Sequence, residues 1–357
     1  MRNWALHLKG HFGVVADTDW YEILSSFRAV GGIADNVVLR VENGRRGLFP
    51  IIPDQPFKLF IPDAVLVNTD QFELKDTQLV LAATADVSPE VRAFIDDYNA
   101  RIAWKGGREE AEDFLVGLYE LPDQLRSFLK DKFYFRDIFE KPTDAQILDQ
   151  FISSRQYQHN DRTVFFAFLE LPNHHPKGIP FESTEKGILL EGSSQSEIFA
   201  TYSVSDAWSR FVNYGFPNRE RRAFSDLYSV TTRDGARTIN VRKETQDNDA
   251  SHKDLRVPQI TQTSSKVDIS YLLLGDRADP MIPVNNFRNH VRPTLGKGSD
   301  EFFETLSYIN KMKFWKLYNI CCRHHGPMVE DIKLACQFQL EALNFAWFGN
   351  WVPTDDG

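Results

Sequence analysis

Val164-Phe165-Phe166-Ala167-Phe168-Leu169-Glu170-Leu171-Pro172-Asn173-His174-His175 runs from an unbroken apolar segment into a proline, an amide and two imidazoles. Consecutive apolar residues suit a strand buried on both faces. The Asn173 side chain donates and accepts at one point, as an adenine ring or an amino-acid group requires. His174 by itself has three readings: a ligand, a base, or a buried structural hydrogen-bonder. Neighbouring residues on a strand point to opposite faces, so His174 and His175 do not chelate one ion together. No metal is expected from the pair.

Outward from this stretch the chain alternates in character. Residues 20–27 carry apolar residues at helical spacing, and Gly31-Gly32 breaks the pattern. Residues 37–41 and 57–61 read as strands. Residues 84–155 read as helices. Ser88-Pro89 supplies an N-cap and a first-position proline, and Val91, Phe94, Ile95, Tyr98 and Ile102 share one face. Gly106-Gly107 is expected to separate that helix from another near residues 108–119. Thr143 with Gln146 forms a capping-box pattern. Strands return over 164–169, 187–190, 198–202, 227–231 and 238–241, the last two flanking the hairpin signal Asp234-Gly235. Residues 244–256 read as a polar loop and residues 267–274 as one more strand. From Ser299 onward the pattern is helical, with a break at Gly326-Pro327. The expected class is α+β, with small sheets, a helical insert and a mainly helical C-terminal region. Its expected boundaries are 1–83, 84–158, 159–245 and 246–357, the first and third segments pairing across the second.

Composition narrows the function classes. The chain has 357 residues, enough for two domains, and 28 of them are Phe, so a large aromatic core is within reach. The net charge of −9 argues against general binding to nucleic acid, which needs a basic surface. Three cysteines, Cys321, Cys322 and Cys336, make a poor disulfide framework and fit a reducing compartment. No run of apolar residues is long enough to span a membrane, and the N-terminal MRNWALHLKGHFG lacks the apolar core of a signal peptide. The expectation is a cytoplasmic protein with neither a membrane nor a nucleic acid as partner. Oligomeric state is not written in these signals.

Further segments carry candidate chemistry. Gly44-Arg45-Arg46-Gly47-Leu48-Phe49 sets two glycines around a short turn, which lets backbone approach a ligand closely. Read alone it is an ordinary turn. Ser154-Arg155-Gln156-Tyr157 closes the last insert helix, where an arginine also suits the helix dipole. Ser205-Asp206 precedes Tyr214-Gly215-Phe216, whose glycine permits a turn that aims the phenol inward. Cys321-Cys322-Arg323-His324-His325 has its ligand types side by side rather than spaced apart, and reads as a helix end instead of a zinc site.

In this order the segments resemble the SET-domain methyltransferases, and in particular the subgroup of the plant Rubisco large-subunit lysine methyltransferase. Residues 44–49 look like that family's G-x-G-[LIV] loop and residues 57–70 like its L..IP..LL strand and turn. Residues 154–157 look like its S-R-x-F segment, residues 170–174 like D-x-x-N-H, and residues 205–216 like S-N-x-E followed by D-Y-G-F. The likeness covers residues 19–231, and beyond them only helical character is shared. It implies small sheets tied by a pseudoknot and S-adenosylmethionine (SAM) as cofactor. Backbone groups of Gly44, Arg46 and Leu48 would meet the amino-acid part of SAM, and Asn173 and His174 its adenine and carboxylate ends. Tyr214 would be the catalytic tyrosine. Arg155 would shape the cofactor or substrate pocket, with Glu170, Phe224 and Tyr228 on the substrate side. The chain departs from the pattern at Glu170 for Asp, His175 for Ser, Asp206 for Asn and Pro50 for a small residue. The family's second tyrosine falls on Phe224, unless Tyr228 fills that role. The implied activity is methyl transfer to a lysine of a protein held by the C-terminal helices. Transfer to a small amine, or a non-catalytic module of the same fold, stands beside it.

Overall fold

The computed structural model describes residues 17–42, 45–133, 141–202, 204–231, 237–243 and 257–345. Gly44, the 244–256 loop, the Asp234-Gly235 turn and the N-terminal segment lie outside them. The opening helix Asp17–Ala29 buries Trp20, Ile23, Leu24 and Phe27, one stripe at helical spacing. The strands Val37–Glu42 and Arg45–Pro50 form an antiparallel hairpin in which Gly47 faces Arg40.

Sequence-remote strands then pair across the helical insert. Pro56–Pro62 takes Ile33–Asp35 on one side and Gly187–Ser193 on the other, and Glu182–Thr184 completes a four-stranded sheet. Val67–Asn68 pairs with Arg162–Phe165, which pairs with Gln156–His159. Asn173–Pro180 runs parallel to Phe199–Thr201. The strands Tyr228–Thr231, Thr238–Val241, Lys266–Ile269 and Ile260–Gln262 make a further sheet. The described residues therefore form an α+β fold of small sheets and helices.

Between the strand regions lie the helices Pro89–Tyr98, Trp104–Tyr119, Asp123–Phe133 and Asp144–Ser153. Ser88 accepts from Val91 N, and Thr143 with Gln146 closes a capping box, as the spacing predicts. The helices Ser299–Cys321 and Pro327–Ala342 pack on each other near the C-terminal end of the described chain. No helix among the described residues is long and apolar enough to cross a membrane.

Three sequence expectations need correction. Gly106-Gly107 does not end a helix. Pro89–Tyr98 runs through a π-helical turn, Asn99–Ala103, directly into Trp104–Tyr119. A Cβ on Gly107 would lie 2.6 Å from Phe151 Cε2 and 2.7 Å from Arg155 Nη2, so this glycine serves helix packing. The apolar run 164–169 is strand only to Phe165, where Arg162–Phe165 ends. Phe168 then turns with φ 68° and inserts its ring among aromatic neighbours. It stacks on Phe27 at 4.3 Å and lies 5.3 Å from both Trp20 and Tyr98. Ring burial outweighs the cost of that backbone conformation. The run 267–274 is likewise two strands, Lys266–Ile269 and Leu273–Asp276, which belong to different sheets.

Candidate functional site

The turn at Phe168 delivers Glu170, then Asn173, to the end of the glycine hairpin. Asn173 Nδ2 donates to Arg46 O at 2.8 Å, although the two residues are 127 apart in sequence. The same nitrogen donates to Glu197 Oε1 at 2.5 Å. Both neighbours are acceptors, so the amide orientation follows from them. Gly47 lies under this junction. A Cβ there would come within 2.4 Å of Glu197 Oε1 and 3.1 Å of Asn173 Nδ2. Leu48 is buried, and its carbonyl accepts from Ile198 N at 2.7 Å, which fixes the segment carrying Glu197 against the hairpin.

Behind the junction is a buried ion cluster. The Glu170 side chain is 2% exposed and lies 3.3 Å from Arg155 Nε and 3.8 Å from Arg46 Nη2. Its other oxygen accepts from Tyr98 OH at 2.6 Å, and Tyr98 OH in turn accepts from Phe168 N. Burial, reinforced by the Glu170 carboxylate, pushes the Tyr98 phenol well above its usual range and keeps it a donor. Burial opposes the charge on Arg155, but the Glu170 and Glu110 carboxylates outweigh it and hold the guanidinium charged. Arg46 Nη1 also donates to Ile102 O in the π-helical turn, at 2.7 Å. The family-like segments around Arg46, Arg155 and Glu170 thus meet in one cluster.

His174 opens a second network that reaches Tyr214. Its Nδ1 accepts from Tyr202 N at 3.2 Å, which leaves the proton on Nε2 to be donated to Glu220 Oε1 at 3.0 Å. Arg210 Nε donates to the same Glu220 oxygen at 3.0 Å. The Arg210 guanidinium lies 4.9 Å from the Tyr214 ring centroid and 5.9 Å from that of Tyr202, while the two rings are 5.1 Å apart. Tyr202 OH donates to Pro172 O at 2.7 Å. Tyr214 is the last residue of the helix Ala207–Tyr214, and Gly215 caps it at φ 76°, a conformation that favours glycine. No hydrogen-bond partner of the Tyr214 hydroxyl lies among the described residues, so that hydroxyl is available to a ligand.

No family model matches the chain, and no curated protein matches it. Among solved structures the chain is similar to the structure of Rubisco LSMT bound to AdoMet, with 12% identity and a TM-score of 0.41. The match covers 91% of this chain and 90% of that one. A likeness this distant leaves the assignment of a function to the residues themselves.

Arg46, Leu48, Arg155, Glu170, Asn173, His174 and Tyr214 all fall within these two networks or the junction between them. Phe224 and Tyr228 do not. Phe224 packs edge-on against Tyr271 at 5.6 Å, in a small cluster with Leu273. Tyr228 begins a strand opposite Val241, and its ring is 6.4 Å from Phe302. Glu197, Tyr202, Arg210 and Glu220 carry no motif signal. Only the pairing of strands and the capped helix bring them to Asn173 and Tyr214.

The second network predicts a pH response. Burial lowers the His174 pKa below its usual 6.5, and the Arg210 charge adds to this, against the hydrogen bond to Glu220. His175 also disfavours the charged ring, and Tyr202 presents only its N–H and its ring face. Unfolding therefore takes up a proton in the window below pH 6.5. The His174 contribution is full above that pH and declines as pH falls towards the folded-state value. Urea unfolding at pH 7.5 and pH 5.5 is expected to show lower stability at the acid pH, with a weaker dependence in His174→Gln. Equal slopes for the two proteins would rule out this source.

Proposed function

We propose that the chain is a SAM-dependent N-methyltransferase whose acceptor is a lysine amine of a protein. The reading is carried by one observation: Asn173, the glycine hairpin and Tyr214, all distant in sequence, are linked through Arg46 O and the His174–Glu220–Arg210 relay. The residues fit the cofactor. Asn173 is half-buried at the junction, and no donor to its Oδ1 lies among the described residues. Arg46 and Leu48 would hold the amino-acid end by backbone groups, with Asn173 beside them and His174 leading towards the adenine end.

When bound, SAM supplies a methyl group activated by its sulfonium. The chain's own residues position the acceptor and keep water out. Rings of Tyr202, Tyr214 and Phe216 wall one side, with centroid distances of 5.1 Å and 6.1 Å between successive rings. A lysine amine has a pKa of about 10.4 in water and must shed a proton before it attacks. A dry aromatic wall favours the neutral amine. The Tyr214 hydroxyl then orients it, while Arg210 and the αL cap at Gly215 hold the ring.

The deciding experiment incubates the full chain with methyl-labelled SAM and cell lysate. Label in protein lysines supports the proposal. Label confined to small molecules would move the acceptor to that class, and no label would remove the methyltransferase reading. Tyr214→Phe keeps the ring on Arg210 and loses only the free hydroxyl. It is expected to retain fold and SAM affinity while turnover falls by roughly a hundredfold or more. Turnover at the wild-type level would exclude Tyr214 as the group that orients the amine.

A further inference from the structure

Just beyond Tyr214 the chain sets Arg219, Arg221, Arg222 and Arg277 around Glu341 and Asp276. Exposure alternates over residues 219–222: Arg219 and Arg221 face solvent, while Glu220 and Arg222 are buried. Glu220 turns inward to His174 and Arg210, so the two exposed arginines flank the anchor of the network that holds Tyr214. Arg219 Nε donates to Glu341 Oε2 at 2.9 Å, and Arg277 Nη2 lies 3.8 Å from the same oxygen. Arg221 Nε donates to Asp276 Oδ1 at 2.9 Å, and Arg222 Nε lies 3.6 Å from Oδ2. Arg277 N donates to Arg221 O, which joins the two groups into one patch.

Four guanidinium groups thus share two carboxylates. Asp276 Oδ1 is further occupied by Ala278 N and Asp279 N. The exposed Asp279 carboxylate accepts from Met281 N and pairs with no arginine among the described residues. Burial lowers the pKa of Arg222 and of Arg277, and the neighbouring charges of Arg221 and Arg219 add to the effect. Arg219 and Arg221 are each held at Nε. Their Nη groups have no hydrogen-bond partner among the described residues, and both side chains are half-exposed. A guanidinium fixed at Nε with its Nη ends open is preset for an incoming carboxylate.

We infer that Arg219 and Arg221 select the protein acceptor by docking an acidic segment of it close to the target lysine. This role rests on the lysine methyltransferase reading above. Arg219 follows Tyr214 by five residues, so their backbones lie no more than about 18 Å apart. An extended peptide that offers its lysine to Tyr214 therefore reaches the arginines within about five residues of that lysine. A nucleic acid suits the patch less well. Its phosphates need a long basic surface, and this chain carries a net charge of −9. Two open guanidinium forks match one or two carboxylates.

The test measures binding of two dye-labelled peptides to the full chain by fluorescence anisotropy. Both have a central lysine. One carries Asp and Glu on either side of it, the other Asn and Gln at the same places. At low salt the wild type is expected to bind the acidic peptide roughly tenfold more tightly, and added salt should shrink the preference. Arg219→Gln combined with Arg221→Gln should remove most of that preference and leave the neutral peptide's affinity unchanged. With methyl-labelled SAM, the same double variant should raise KM for the acidic peptide and leave kcat alone. Equal binding of the two peptides, binding of neither, or an undiminished preference in the variant would overturn this role and leave the methyltransferase reading standing. Stronger competition by a single-stranded RNA oligomer than by unlabelled acidic peptide would overturn it in favour of nucleic acid. A chain that prefers the acidic peptide yet labels no lysine in lysate would overturn the methyltransferase reading, and the acceptor role with it. Melting temperatures verify folding. If the double variant unfolds, Arg219→Gln alone carries the test, since Glu341 keeps Arg277 and Gln337 as partners.

Discussion

Glu170→Ala should cost the fold about 3–5 kcal/mol, the range for removing one partner of a buried ion pair. The Arg46 and Arg155 side chains are only 13% and 11% exposed, and both face the Glu170 carboxylate. Arg155 keeps Glu110 at 2.9 Å, a residue 40% exposed and so better screened. Arg46 keeps the Ile102 carbonyl, a neutral acceptor that does not balance its charge. Tyr98 OH would lose its acceptor in an interior where its donation cannot pass to water. The damage should reach the site, because the Arg46 backbone carries Asn173 and Arg155 packs against Gly107. Glu170→Gln keeps an acceptor for Tyr98 and should fall between the wild type and Glu170→Ala. Urea unfolding of the full chain measures both variants. A loss below about 1 kcal/mol for Glu170→Ala would mean that water or rearrangement replaces the carboxylate, and that the cluster does not organise the junction.

The residues that form this junction are unequally legible in the sequence. Local signals read directly: the stripe from Trp20 to Phe27, the cap at Ser88, the capping box at Thr143 and Gln146, and the strands around Leu39 and Leu59. Each depends on residues a few positions apart, which is the range over which periodicity and capping act. Gly107 mimics a helix break because its reason is tertiary, namely the proximity of Phe151 and Arg155. Phe168 mimics a strand residue because an apolar run looks the same whether it continues a strand or turns into a ring cluster. In the site, Asn173, His174 and Tyr214 stand out through their order along the chain. Glu220 and Glu197 do not, because their partners His174 and Asn173 lie 46 and 24 residues away and no motif links them. Tyr202 is the aromatic partner of Tyr214, yet in sequence Phe224 and Tyr228 look better placed for a second tyrosine's position. Strand pairing across Asn173–Pro180 and Phe199–Thr201 is what brings Tyr202 there.

The other end of the Tyr214 helix sets the second large effect. Asp206 N-caps Ala207–Tyr214 through Ser209 N at 2.7 Å and also accepts from Phe224 N and from Gln339 Nε2 of Pro327–Ala342. Lys243 Nζ lies 3.3 Å from Asp206 and 3.8 Å from Asp226, whose other oxygen pairs with Lys313 of Ser299–Cys321. Burial would discharge Lys243, but the two carboxylates outweigh it and raise its pKa. Burial would likewise neutralise Asp206, but Lys243, Ser209 and Gln339 outweigh it and lower its pKa. The Lys243 contribution holds below the ordinary lysine pKa and is lost as pH rises through the folded value. The Asp206 contribution holds above the ordinary aspartate pKa and is lost as pH falls through the folded value. The clamp is thus intact at neutral pH. Lys243→Met keeps the aliphatic bulk and leaves the fully buried Asp206 with neutral donors alone, so a loss of about 3–5 kcal/mol is expected. Adding Asp206→Asn removes the stranded charge while an asparagine still caps the helix. The double variant should therefore be more stable than Lys243→Met alone, a coupling that a double-mutant cycle reads directly. Helical rise puts Tyr214 about 12 Å from this clamp on a rigid rod. Loosening the cap in Lys243→Met should therefore lower turnover even at temperatures where the chain stays folded, and Asp206→Asn should restore part of it. A double variant no more stable than Lys243→Met would show that the loss comes from packing around the lysine stem and not from the buried charge.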